Sequence, residues 1–207
     1  MKKLVALLAI AMMASSAFAI VDDGVNSLGV YFDEAFEANC IDPMLNVPHQ
    51  MYFVLANCSQ ATIGGFEFAW NFDPAPAVAP FILATILPPG GLNIGDANNL
   101  IVGLGTPLAT GEATVLVQFT AMWIALPGEM TYVTAGPPNP ATIPGHCAFN
   151  DGADVSLLFP MAFSTVDGTD VVVDPEGWVR PGLGTIGCPG PVATEAQTFS
   201  TLKALFR

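Results

Sequence analysis

Residues 65–72 have the sequence GFEFAWNF, which is the clearest strand signal in the chain. Aromatic residues alternate there with small or polar ones: Phe66, Phe68, Trp70 and Phe72. Successive side chains of a β-strand point to opposite faces, so this period of two places the aromatic rings together on one face. The octapeptide therefore predicts a strand whose aromatic face lies against a hydrophobic core.

Further segments have the apolar, β-branched or aromatic composition of strands. The chain contains 20 glycines and 18 prolines, and such frequent Gly and Pro are typical of short strands joined by turns. We therefore expect an all-β fold, a two-sheet antiparallel β-sandwich of jelly-roll or Greek-key type with about nine strands. The further segments are residues 28–32, 50–57, 80–86, 99–105, 113–122, 130–135, 147–150 and 170–174.

The stretches between these segments have the composition of turns and loops. Residues 89–99, 137–145 and 174–191 are the longest of them. We expect the sandwich domain to span residues 20–189 and a C-terminal linker and helical tail to span residues 190–207.

The N-terminal residues MKKLVALLAIAMMASSAFA have the parts of a secretory signal peptide. Lys2 and Lys3 give a positive start, residues 4–14 an apolar run, and residues 17–19 a small-x-small cleavage site. The apolar run is too short for a membrane-spanning helix. We predict that residues 1–19 are removed, and that the mature chain is secreted or displayed at the cell surface without a transmembrane segment.

The exported chain is strongly acidic. Without its signal peptide it has 18 acidic residues against three basic ones, Arg180, Lys203 and Arg207, which gives a net charge of −15. This excludes nucleic acid as a partner, because binding to phosphates depends on Lys and Arg. The charge keeps an apolar-rich chain in solution and attracts cations.

The cysteines are Cys40, Cys58, Cys147 and Cys188, and export favours their oxidation. Their even number predicts two disulfides, for which three connectivities are possible. We expect sequential pairing, Cys40 with Cys58 and Cys147 with Cys188, because each pair brackets one structural segment. A metal site is the alternative, but there is no C-x-x-C motif and the two histidines lie far apart.

Pairs of acidic residues are the strongest candidates for a metal site. Asp151 and Asp154, and likewise Asp167 and Asp170, lie three residues apart in glycine-containing turns. Carboxylate oxygens at such spacing can hold calcium. We expect no other cofactor, and the alternative to a structural calcium site is that these are ordinary Asp-Gly turns.

Tryptophans are candidates for stacking on sugar rings. Trp70 and Trp123 lie in strand segments and are predicted to be buried. Trp178 lies in a loop-like setting, and we consider it for glycan binding. The alternative is that Trp178 covers an open end of the sandwich.

Short motifs of enzymes occur without the context that their chemistry needs. Residues 182–187 fit G-x-G-x-x-G, but prolines follow at once and prevent the helix that binds the pyrophosphate. Residues 200–203 fit S-x-x-K near the chain end, without the companion motifs of serine acyltransferases. We therefore expect a protein that is not an enzyme, and a glycan-acting enzyme with paired carboxylates ranks third among the functions considered.

Residues 45–122 resemble a cohesin-type sandwich. The stretch MYFVLANCSQATIGGFEFAWNFDP gives a strand, a turn and a strand that closes on aromatic-Asp-Pro at residues 72–74. GDANNLIVGLGTPLATGEATVLVQFTA then adds a Gly-led segment and an apolar strand that ends in Phe119. Secreted bacterial carbohydrate-binding modules share this pattern. The resemblance implies a jelly-roll-like fold and a role in non-covalent recognition.

The last residues, PVATEAQTFSTLKALFR, are typical of an amphipathic helix. Thr194 and Gln197 suit a capping box, and basic residues at the C-terminal end suit the helix dipole. The segment resembles C-terminal extensions of secreted bacterial proteins, which implies sorting or attachment. A helix folded back on the sandwich, or a frayed end, is the alternative. The predicted docking residues are Phe199, Leu202, Lys203, Leu205, Phe206 and Arg207.

The first function predicted is a non-catalytic exported β-sandwich for cell-surface structure, adhesion or protein recognition. Its partner would be a surface protein or a glycan. The alternative is a carbohydrate- or calcium-dependent binding module, which an exposed Trp178 in a groove, or convergence of the turns at Asp151 and Asp170, would favour.

Overall fold

The computed structural model describes residues 24–164, 172–180 and 182–188. Strands joined by turns and loops make up this part of the chain, and every predicted strand segment contains a strand. Further short strands arise in segments predicted as loops. In chain order the strands are β1 (Ser27–Tyr31), β2 (Cys40–Ile41), β3 (Pro48–Ala56), β4 (Thr62–Asp73), β5 (Phe81–Ile86), β6 (Gly91–Asn93), β7 (Asn99–Ala109), β8 (Ala113–Met122), β9 (Thr131–Gly136), β10 (Ala148–Asp151), β11 (Leu158–Pro160), β12 (Ala162–Phe163), β13 (Val172–Val173), β14 (Val179–Arg180) and β15 (Gly184–Ile186).

The strands assemble into two main sheets. The five-stranded sheet has the order β12-β1-β3-β8-β5. The eight-stranded sheet follows the path β11-β10-β4-β9-β15-β2, and β7 pairs with β4 and with β6. Strands β13 and β14 form a separate antiparallel pair.

The sheets pack against each other through the predicted aromatic face. Phe53 of β3 stacks on Phe68 of β4 with ring centroids 5.0 Å apart, and Phe119 of β8 lies 4.9 Å from Trp70 of β4. These rings are buried, and Phe72 packs at the margin of the same core. The prediction that GFEFAWNF lines the core is confirmed.

Parallel strand pairs correct the expectation of a purely antiparallel sandwich. Strand β12 runs parallel to β1, with Ser27 opposite Ala162, and β15 runs parallel to β2, with Thr185 opposite Cys40. In each pair a late segment of the chain returns to an early one. Parallel strands need a long connection between them, and strands of two or three residues are too short to show an alternating pattern.

The disulfide joins Cys40 to Cys188, whose Cα atoms are 5.4 Å apart. Our pairing of Cys40 with Cys58 and of Cys147 with Cys188 is therefore wrong, and Cys58 and Cys147 are free thiols. The parallel pairing of β15 with β2 brings residue 188 beside residue 40. The carboxylate of Asp42 then accepts a hydrogen bond of 2.8 Å from the Cys188 backbone N–H.

The predicted signal peptide, residues 1–19, and the predicted tail, residues 190–207, lie outside the described residues. Within the described ranges no helix is long and apolar enough to cross a membrane.

Candidate functional site

A pocket of about 220 Å³ opens on the outer face of the eight-stranded sheet. Because Phe66 points into the core, its neighbours Gly65 and Glu67 face outward. Gly103 of β7 lies directly opposite Gly65 on one side, and Asn150 of β10 lies opposite it on the other. Pairing of three strands thus builds a floor of two glycines with polar side chains beside it.

The two floor glycines differ in their steric surroundings. A Cβ atom at Gly65 would lie 2.6 Å from the carbonyl oxygen of Val102, so only glycine fits without a backbone shift. A Cβ atom at Gly103 would meet nothing within 4 Å. Glycine inside a strand is less stable than alanine by roughly 0.5–1 kcal/mol. Packing therefore does not require a glycine at residue 103. The absence of a side chain there leaves the space above the floor open.

Apolar side chains form two walls of the pocket. The turn between β6 and β7 is fixed by the Asn93 side chain, whose oxygen accepts hydrogen bonds from the N–H groups of Gly95 and Ile101 at 3.1 and 2.9 Å. Ile94 and Ile101 line this side of the pocket. Leu158 lines the other side, on β11, which pairs with β10. Ile94 is 74% exposed, so this wall is accessible from solvent.

The loop of residues 137–145 lies over the same face. Thr142 donates its backbone N–H and its hydroxyl to the two carboxylate oxygens of Glu67, at 2.6 and 2.7 Å. Asn99 and Asn139 exchange a further pair of hydrogen bonds of 3.0 and 2.8 Å. These contacts fix the loop to the sheet and place Thr142 in the pocket lining.

The two polar side chains beside the floor, Glu67 and Asn150, have largely buried hydrogen-bond acceptors. Glu67 is only 6% exposed, and the Oδ1 atom of Asn150 is buried without a hydrogen-bond partner in the described chain. Buried polar atoms in native proteins are nearly always hydrogen-bonded. Lys, Arg and His are absent from the described residues that line the pocket. The pocket therefore combines apolar walls with a carboxylate and an unused acceptor.

Sequence reasoning did not find this site. The alternation in GFEFAWNF places Gly65 and Glu67 on the face opposite the aromatic rings. Asn150 and Gly103 come from strands that reach β4 only through sheet pairing. Their role therefore has no local signal in the sequence.

The acidic turns predicted to bind calcium are hydrogen-bonded internally. Asp151 and Asp154 each accept the backbone N–H two residues further along, at 2.8 and 3.0 Å. The hydroxyl and N–H of Ser156 lower the pKa of Asp154. No cluster of three or more possible metal ligands occurs among the described residues. Asp167 and Asp170 lie outside them, so the calcium site stays a prediction.

The tryptophans have different environments. Trp70 and Trp123 are buried in the core, as predicted. Trp178 is half-buried and rests on Gly136, where a Cβ atom would lie 2.5 Å from the indole ring. Glycan binding at Trp178 stays a prediction.

Burial disfavours the thiolate form of the two free thiols, Cys58 and Cys147. Burial raises the pKa of Cys147, whose Sγ donates to the carbonyl oxygen of Gly136 at 3.0 Å. Burial also raises the pKa of Cys58, which is half-buried. A raised pKa keeps a thiol protonated, and the thiolate is the reactive form.

The tail residues predicted to dock, between residues 199 and 207, lie outside the described residues. Attachment or sorting through the tail stays a prediction.

Fold and pocket together define an all-β sandwich with a small pocket on one sheet face. Its structure is similar to the sixth cohesin of scaffoldin B from Acetivibrio cellulolyticus, solved in complex with a mutant Cel5 dockerin. The two chains are 14% identical, with a TM-score of 0.41, and the alignment covers 68% of this chain and 94% of the cohesin. No protein-family model matches the sequence, and no curated protein is similar to it.

Proposed function

We propose that the chain is a non-catalytic, exported recognition module that binds a protein partner through the pocket on the outer face of the eight-stranded sheet. The observation that supports this function is the open space above Gly103, between apolar walls and beside two acceptors, Glu67 and Asn150. Binding sites are typically concave and mostly apolar, with few converging polar groups. The pocket has this composition.

The size of the pocket favours a macromolecular partner. Pockets that enclose a small molecule have volumes of roughly 300–1,000 Å³, and this pocket is smaller, at about 220 Å³. It can receive one side chain, and the rest of the binding surface must then come from its surroundings. Exposed Leu92 and Ile94, 66% and 74% accessible, provide apolar area beside it.

The Glu67 carboxylate is arranged for binding. Both of its oxygens accept hydrogen bonds from Thr142, which hold the group in one orientation. A pre-organised acceptor lowers the entropic cost of binding a partner.

Selection from a random peptide library displayed on phage tests the proposal. The bait is the exported chain, and a Gly103→Leu variant serves for counter-selection, because the added side chain fills the open space above the floor. We expect the selected peptides to bind Gly103→Leu at least tenfold more weakly than the wild type.

A matched control comes from Gly128, which is exposed and where a Cβ atom also meets nothing within 4 Å. Gly128 does not line the pocket. The Gly128→Leu variant should bind the selected peptides like the wild type. Equal affinities for the wild type and both variants would contradict recognition through the pocket.

A further inference from the structure

We infer that the pocket receives the side chain of a lysine or arginine of the partner, an inference that rests on the proposed function and specifies its ligand. The side chain of Asn150 is the first reason: it lines the pocket, and its Oδ1 atom, which lies close to Gly64, has no hydrogen-bond partner in the described chain. A buried acceptor without a donor is destabilising by about 1–3 kcal/mol. A ligand N–H donor removes this penalty once the Asn150 side chain turns toward it, and an apolar ligand does not.

Glu67 is the second reason. A carboxylate has about four lone-pair sites, and Thr142 occupies one on each oxygen of Glu67. Acceptor capacity therefore remains for a ligand. The donors from Thr142 are neutral, so the negative charge of Glu67 has no cationic partner among the described residues that line the pocket. A cationic group supplies both the donors and the charge.

The apolar walls are the third reason. Lysine and arginine have long aliphatic stems that pack along apolar surfaces while the charged end reaches a polar group. Ile94, Ile101 and Leu158 line the pocket around the glycine floor and can contact such a stem. The combination of apolar walls and acceptors fits a basic side chain along its whole length.

The charge of the whole chain acts in the same direction. The formal net charge is −13 for the full sequence. Summed charge of one sign attracts partners of the opposite sign and raises their rate of association. Arg180, the one lysine or arginine within the described ranges, is paired with Asp73 and Asp174 and does not line the pocket.

NMR titration of the ¹⁵N-labelled exported chain tests the inference. The probes are the N-acetyl methylamides of lysine, arginine and norleucine, of which norleucine has the aliphatic stem without the charge. We expect the lysine or arginine probe to shift the backbone amide signals of Gly65, Gly103 and Asn150, with a dissociation constant at least tenfold below that of norleucine.

Variants that each change the charge of one side chain show whether this preference depends on Glu67. Glu67→Gln should remove the preference for the basic probes. Glu112→Gln changes the net charge equally, at an exposed residue outside the pocket lining, and should retain the preference. Asn150→Asp adds a carboxylate beside the floor and should tighten binding of the basic probes severalfold while leaving norleucine unchanged. The Asn150→Asp variant therefore tests the inference even where Glu67→Gln fails to fold.

Equal affinity for norleucine and the basic probes would overturn the inference. So would shifts from the basic probes that map outside the pocket, or an unchanged preference in Glu67→Gln together with no gain in Asn150→Asp. None of these results would contradict the proposed function, which the peptide selection tests separately. Peptides that bind in the pocket through an uncharged residue would still support that function.

Discussion

Strands β4 and β5 have similar sequence signals and opposite environments. Both are apolar segments bounded by turns, and both were predicted as strands. Strand β4 lies inside the eight-stranded sheet and is buried along most of its length. Strand β5 is the edge of the five-stranded sheet, and all of its residues are exposed. Apolar composition thus predicts the strand, while position in the sheet decides its burial.

The exposure of β5 has a topological cause. It pairs with β8 alone, so its outer edge has no neighbouring strand in the described chain. Phe81, Leu83 and Ile86 are each at least half exposed. No charged residue occurs between Asp73 and Asp96, although edge strands are commonly protected by charges.

Truncation of a phenylalanine in each strand gives the largest expected difference. Phe68→Ala removes a fully buried ring stacked on Phe53 and should lower the free energy of unfolding by about 3–5 kcal/mol. Phe81→Ala truncates a ring that is 54% exposed and should change it by less than about 0.5 kcal/mol. Urea unfolding followed by tryptophan fluorescence measures both. Comparable losses in the two variants would show that β5 is covered in solution.

The disulfide lies at the edge of the eight-stranded sheet that β2 and β15 form. The edge at β5, in the five-stranded sheet, has no such cross-link in the described chain. The disulfide closes a loop with a sequence separation of 148 residues. Such a cross-link restricts the unfolded chain, and its reduction should lower the free energy of unfolding by about 2–4 kcal/mol. Urea unfolding with and without dithiothreitol measures this loss.

The double variant Cys40→Ser, Cys188→Ser is the control for reduction. It should unfold at the same urea concentration with and without dithiothreitol. A remaining effect of dithiothreitol would mean that Cys58 and Cys147 form a second disulfide in solution.

The contrast between β4 and β5 also shows how far the sequence predicts this fold. The aromatic face of β4 was predictable because alternation is a local property of residues 65–72. The pairing of Cys40 with Cys188 was not, because it depends on the parallel contact of β2 with β15. These strands are short and distant in the chain, so neither has a local pattern that identifies its partner.

The pocket follows the same rule. Gly65 and Glu67 lie on the polar face of a strand that the sequence predicts. Gly103 and Asn150 are brought beside them by strand register. Only the half of the site on β4 was therefore accessible from the sequence.

Alanine variants of the two floor glycines test the steric difference between Gly65 and Gly103. Gly65→Ala would place a methyl group 2.6 Å from the Val102 carbonyl oxygen and should lower the free energy of unfolding by about 1–3 kcal/mol. Gly103→Ala enters open space and should raise it by about 0.5–1 kcal/mol. Thermal unfolding measures both changes. A loss in Gly103→Ala would mean that its glycine is needed for the backbone and does not serve to keep the pocket open.

The smallest effect is expected at the exposed end of β4. Arg180 forms ion pairs with Asp73, the last residue of β4, and with Asp174 at 3.4 Å. The side chains of Arg180 and Asp73 are both 44% exposed, and water and salt screen such pairs. Arg180→Gln should therefore lower the free energy of unfolding by at most about 1 kcal/mol. The difference should disappear in 1 M sodium chloride.

Trp178 provides the control for the Arg180 variant, because it fixes the segment between β13 and β14 by packing on Gly136 and not by charge. Trp178→Ala should be more destabilising than Arg180→Gln, and salt should not reduce its effect, because burial of an aromatic ring is not screened. A larger loss in Arg180→Gln than in Trp178→Ala would show that the ion pairs, and not the ring, hold this segment against the end of β4.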